Sequence, residues 1–213
     1  MIPEDYLPSR RRVLFFAAAL RLYASDSDFW NRKDPSHWTA DEVDRLITKS
    51  PWAKEIATPG SGVARRGRKS ASPQYSGVVR WESAKPVLEA MKASLPRNFS
   101  NHYVISVSGL PSPRNTRPVE GTGAEVRAAQ RENEAVFERI KSLTYLAEVK
   151  PAIVEETPFG VGETRTILFG FSKALLPLSP DGHEIAFTTQ LGTIPVKVKF
   201  GPKEMMYRGE LAV

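Results

Sequence analysis

The sequence predicts an α+β domain: an antiparallel or mixed β-sheet with helices packed on one face, preceded by a short helical arm. Three observations carry this. Apolar residues step by three and four through 124–147 (Val126, Ala129, Val136, Ile140, Leu143, Ala147), the period of a helix lying on a sheet. From Glu148 onward the pattern changes to short β-branched and aromatic runs, and Val196-Lys197-Val198-Lys199-Phe200 alternates between a buried and a wet face. The order β-α-β-α, followed by strands alone, separates helices from strands as α+β folds do.

Composition bounds the rest. The chain has 213 residues, 41% of them hydrophobic and 25% charged, enough for one sizeable core. It has no cysteine, which excludes disulfides, thiolate metal sites, iron–sulfur clusters and cysteine nucleophiles. The net charge of +6 is uneven: residues 1–80 carry 14 Lys+Arg against 9 Asp+Glu, and residues 81–213 carry 16 against 15. The folded body therefore lacks the general basic footprint of a nucleic-acid binder.

Residues 1–24 read as an export signal. Arg10, Arg11 and Arg12 precede an apolar run from Val13 to Leu20, and small residues around Ala24 follow. Ser9-Arg10-Arg11-Arg12-Val13-Leu14 resembles the twin-arginine signal, with Val13 where that family has Phe; Arg21, Glu4 and Asp5 are atypical of such a leader. The run is too short for a spanning helix, which needs about 20 apolar residues. The mature chain is expected to lack a transmembrane span and to be periplasmic or secreted; the alternative is a cytoplasmic protein with an amphipathic first helix.

Residues 25–57 are expected to form the tryptophan-rich helical arm. Thr39 and Glu42 fit a capping box, Trp38 and Val43 a hydrophobic staple, and the helix should stop near Ser50 before Pro51. Ser50-Pro51 then predicts an N-cap with proline at N1, opening a second short helix to Ile56. Residues 58–74, rich in Gly, Ser, Pro and Arg, predict a flexible basic linker. The α+β domain is expected over 75–213. It begins with a strand from Gly77 to Trp81, a helix from Ala84 to about Leu95 capped by Ser83, and a strand from His102 to Ser108. Ser112 to Gly123 predicts a loop. The later strands are placed at Val149–Glu155, Thr164–Phe171, Glu184–Gln190, Ile194–Phe200 and Met205–Leu211, with hairpin turns at Phe159–Gly162 and Leu191-Gly192.

Phe29-Trp30-Asn31-Arg32-Lys33-Asp34-Pro35, Ser50-Pro51-Trp52-Ala53-Lys54, Val79-Arg80-Trp81-Glu82-Ser83-Ala84 and Lys203-Glu204-Met205-Met206-Tyr207-Arg208-Gly209 together resemble a group of uncharacterised exported bacterial proteins. That resemblance implies export and a shared fold, and no activity or site. The first stretch is also faintly similar to the motif of a bacterial domain named for Gly-Trp-x-Thr-Asp, a pentapeptide this chain lacks.

Chemistry is sparse. His37, His102 and His183 lie far apart without metal-ligand spacing, so no metal and no cofactor is expected. Ser108-Gly109-Leu110 follows a strand but is not Gly-x-Ser-x-Gly. Gly121-Thr122-Gly123 lacks the Lys-Ser/Thr of a phosphate loop and reads as a helix entry. Glu155 and Glu156 point to opposite faces of a strand and cannot act as a carboxylate pair. Arg80 and Glu82 should share one face of their strand with Trp81 on the other: a cross-strand ion pair with a core tryptophan, or a ligand- or partner-facing edge. Arg65, Arg66, Arg68 and Lys69 form the one charge run of the mature chain, a solvated loop or an anion contact.

The expectation that follows is an exported, non-enzymatic binding domain that meets a protein or cell-envelope partner. The alternatives are a cytoplasmic nucleic-acid binder using Arg65 to Lys69, disfavoured because no aromatic interleaves with the cations, and a hydrolase with an unidentified site. Oligomeric state is not legible.

Overall fold

A computed structural model describes residues 28–58, 75–113, 122–157 and 165–213. Among the described residues there are three α-helices, α1 (Ala40–Thr48), α2 (Lys85–Met91) and α3 (Gly123–Ser142). Its strands are β1 (Ala53–Ala57), β2 (Ser76–Trp81), β3 (His102–Ser108), β4 (Tyr145–Leu146), β5 (Ile153–Thr157), β6 (Thr166–Ser172), β7 (Ile185–Leu191), β8 (Ile194–Phe200), β9 (Met206–Tyr207) and β10 (Glu210–Leu211). The fold is α+β. A five-stranded sheet has the order β1-β2-β3-β6-β5, a three-stranded sheet the order β4-β7-β8, and β9-β10 is a hairpin. Every ladder among the described residues is antiparallel.

Register explains the core. Val79, Trp81, Ile105, Val107, Ile167, Phe169 and Phe171 fall on one face of the large sheet, because Trp81 opposes Ile105 and Ile105 opposes Phe169. That face packs on the small sheet through edge-to-face rings: Trp81 on Phe200 at 5.3 Å and Phe169 on Phe187 at 5.5 Å. On the opposite face, Phe99 lies over Gly170, where a side-chain Cβ would come within 2.9 Å of the ring. Phe99, Val104 and Leu168 form a smaller apolar cluster there. Helix α3 packs on β5 and β7, with Ile140 buried and Val136 and Phe137 half-buried.

Several elements differ from their sequence expectation. Pro51 does not open a helix: Ser50 and Ala53 exchange backbone hydrogen bonds at 3.1 and 3.2 Å, and residues from Ala53 onward pair with β2. Ser-Pro is as good a turn as a helix start, and the ladder to β2 decides between them. The segment expected as an arm thus contributes a sheet strand. Phe29, Trp30, Trp38, Leu46 and Trp52 belong to the same buried cluster as Trp81 and Phe200. Helix α2 starts after Ala84, because the Ser83 hydroxyl accepts instead from the Val104 N–H at 3.1 Å. It ends at Lys92 in the left-handed region (φ 50°) rather than near Leu95.

Helix α3 stops at Ser142, short of 147. The Thr144 hydroxyl lies 2.6 Å from the Ile140 carbonyl and 2.7 Å from Thr189 Oγ1, and the chain turns into β4 against β7. The final expected strand is a hairpin whose turn, Arg208-Gly209, has φ 52° and 85°. The expected turn at Leu191-Gly192 joins β7 to β8, whereas the expected turn at Phe159–Gly162 lies outside the described residues. No helix among the described residues is long and apolar enough to cross a membrane.

Candidate partner-binding site

Arg80, Trp81 and Glu82 are brought together as their alternation requires. Trp81 is fully buried between the sheets. On the other face, Arg80 Nε donates to Glu82 Oε2 at 2.9 Å, and Nη2 approaches Oε1 at 3.4 Å. Glu82 Oε2 also accepts from the Ser106 hydroxyl at 2.7 Å, a partner that the Arg80–Ser106 register supplies from β3. Arg80 Nη1 donates to the Ile47 carbonyl at 3.2 Å in the last turn of α1. The two side chains are 10% and 1% exposed, so both charges are spent inside the protein. The pair fastens α1 across β2 and thereby positions what lies in front of β1.

In front of β1 is an open cleft of about 680 Å³. Four separate pieces of chain line it. Trp30 and Asn31 come from a 3₁₀ turn, Arg45 and Lys49 from the end of α1, Ala53, Lys54 and Glu55 from β1, and Lys203, Glu204 and Met206 from the C-terminal segment. Thr39 caps α1: its hydroxyl accepts from the Glu42 N–H at 3.2 Å while Glu42 accepts from the Thr39 N–H at 2.9 Å. The other Glu42 oxygen accepts from Lys33 at 2.5 Å, and this ammonium, with the Thr39 backbone, holds the Glu42 carboxyl below its ordinary pKa.

Asn31 ties the first wall to the last. Its amide donates to Met206 O at 3.2 Å and accepts from the Arg208 N–H at 2.6 Å. Trp30 stacks edge-to-face on Trp52 at 5.3 Å, and the Trp52 indole donates to Ala212 O at 2.6 Å. The Trp30 indole N–H, by contrast, is buried with no acceptor among the described residues. Behind the cleft, the Tyr207 hydroxyl donates to Glu89 on α2 at 2.5 Å; burial, then that carboxylate, push its pKa well above the ordinary value.

The remaining sequence candidates do not join this cleft. Arg65, Arg66, Arg68 and Lys69 lie outside the described residues. His37 and His183 are exposed at separate places, and His102 stands half-buried beside Phe99. Among the described residues no group of three or more His, Asp or Glu could hold a metal ion. At the entry to α3, Glu125 accepts from the Thr122 N–H at 2.6 Å, so the helix places its own carboxylate at its N-terminus. The cleft itself was not legible from sequence, although three of the four resembling stretches line it and the fourth, through Arg80, stands behind it.

No protein-family model matches the chain, and neither curated proteins nor solved structures provide a match. The site offers a tryptophan, a strand edge that no described strand pairs with and a mixed set of charges in an open trough, an arrangement suited to holding a surface or segment of another molecule.

Proposed function

We propose that this chain is a non-enzymatic binding domain, exported to a periplasmic or secreted location, which engages a protein partner through the cleft in front of β1. One observation carries the reading: four distant pieces of chain are pinned together around a trough that opens on the outer edge of β1, which no described strand pairs with. The Asn31 clasp and the Trp30–Trp52 contact preorganise that trough, and preorganised surfaces lose less ordering entropy on binding. Arg80, Trp81 and Glu82 act in this reading from behind, by holding α1 and β2 in place.

Site-specific photocrosslinking tests it. A photoreactive residue in place of Lys203, on the cleft, should give a discrete adduct in producing cells. The same residue in place of Lys197, on the exposed side of β8, should give none. Equal labelling at both positions would defeat the proposal. Export is tested separately by the mass of the mature protein, which should lack residues 1–24.

A further inference from the structure

The cleft contains the outer edge of a sheet, and its register says which backbone groups are open. Trp81 N–H donates to Trp52 O at 2.7 Å, and Thr58 N–H to Tyr75 O at 2.9 Å. Antiparallel pairs alternate between bonded and non-bonded, so Lys54 and Ile56 direct their backbone groups to β2. Ala53, Glu55 and Ala57 direct theirs outward. Ser50 occupies those of Ala53. Glu55 and Ala57 thus present two N–H and two C=O groups on an edge that no described strand pairs with.

Resting on the binding reading above, we infer that this edge captures an extended peptide by antiparallel strand addition, with acidic side chains on the Lys54 side and apolar ones on the Glu55 side. Alternation assigns the sides. Glu55 is already matched by Lys49, the residue that follows α1, at 3.6 Å, so the residue opposite it need carry no charge. Lys54 falls on the other side and, like Lys203 of the same cleft, has no charge partner among the described residues. A carboxylate opposite Lys54 therefore meets an ammonium group without a charge partner among the described residues. A second copy of this chain fits poorly, since antiparallel self-pairing centred on β1 sets Glu55 opposite Glu55, and like charges directly opposite are destabilising. Main-chain bonds provide the affinity in such complexes and alternate side chains the specificity.

The test uses the full chain and the peptide acetyl-(Glu-Val)₃-amide, followed by calorimetry and by the amide signals of Glu55 and Ala57 in NMR spectra. Binding should shift both signals. In the inferred register valine opposes Glu55 and exchanges hydrogen bonds with it, so N-methylation of the valines should abolish binding and N-methylation of the glutamates should spare it. Ala57→Pro removes one outward donor on an edge where proline is tolerated, and should weaken binding roughly fivefold, the worth of one hydrogen bond. Lys54→Gln should weaken it about two- to fivefold.

Equal binding of the two methylated peptides, equal or tighter binding of acetyl-(Lys-Val)₃-amide, or no binding of the acidic peptide would each overturn strand addition. The crosslink at Lys203 reads the cleft independently: an adduct there together with a failed peptide would leave the binding reading standing and remove this one.

Discussion

Glu82→Gln is the sharpest perturbation this structure offers. The substitution keeps the shape of the side chain and removes its charge. It leaves the Arg80 guanidinium in a site that is 10% exposed, with the Ile47 carbonyl as its remaining strong acceptor. Two well-formed bonds to Glu82, at 2.9 Å from Arg80 and 2.7 Å from Ser106, are weakened or lost. Hydrogen bonds to charged groups contribute about 1.5–3 kcal/mol each, so two give about 3–6 kcal/mol. Breaking a buried ion pair costs about 3–5 kcal/mol, and the two routes agree. Replacing both partners by apolar residues, Arg80→Met with Glu82→Leu, removes the desolvated charges together and leaves only the neutral Ser106 hydroxyl without its partner, so it should cost less than Glu82→Gln alone. Urea unfolding followed by tryptophan fluorescence measures both, as shifts in midpoint at constant slope. A single variant costing under about 1 kcal/mol, or a double variant as damaged as the sum of its singles, would refute the reasoning.

Three further outcomes follow from packing and protonation. Gly170→Val drives a side chain into the Phe99 ring and should cost about 1–3 kcal/mol by overpacking, measured by the same denaturation. Glu42 has a lowered pKa because Lys33 and then the Thr39 backbone stabilise its charge. Its contribution is therefore present above the ordinary carboxylate value and is lost as pH falls through the folded value; Glu42→Gln should flatten the fall in stability below the ordinary carboxylate value of about 4.3. Tyr207 has a raised pKa, first from burial and then from Glu89, so one phenol should stay neutral beyond about pH 11, above the ordinary tyrosine range. In an ultraviolet titration at alkaline pH, Tyr207→Phe should delete the latest-ionising step and leave the earlier ones.

Local signals in the sequence carry through to the structure, and non-local contacts decide where the structure departs from them. The Thr39–Glu42 capping box, β3 and β8 depend on neighbouring residues, and they occur where the pattern places them. The Arg80–Glu82 pairing follows from strand parity alone. Pro51 misled because Ser-Pro starts a helix or makes a turn with equal local logic, and the deciding partner, Arg80, is 27 residues from Ala53. The end of α3 misled because Leu143 and Ala147 continue the apolar step, while the Thr144–Thr189 bond and the ladder to β7 stop the helix. The cleft was the least legible feature, because its walls meet only through contacts such as Asn31 with Arg208, separated by 177 positions.

That separation also governs how the protein folds. The bond from Trp52 to Ala212 spans 160 residues. Loops of this size close slowly and weigh heavily on folding rate. The tryptophan cluster must wait for the β9–β10 hairpin before its walls can lock, so the trough is among the last parts of the described fold to acquire its shape. A chain emerging from the ribosome would hold β2 and β3 together well before it had any cleft at all. The trough would then take its shape only after the segment up to Ala212 had been made and docked.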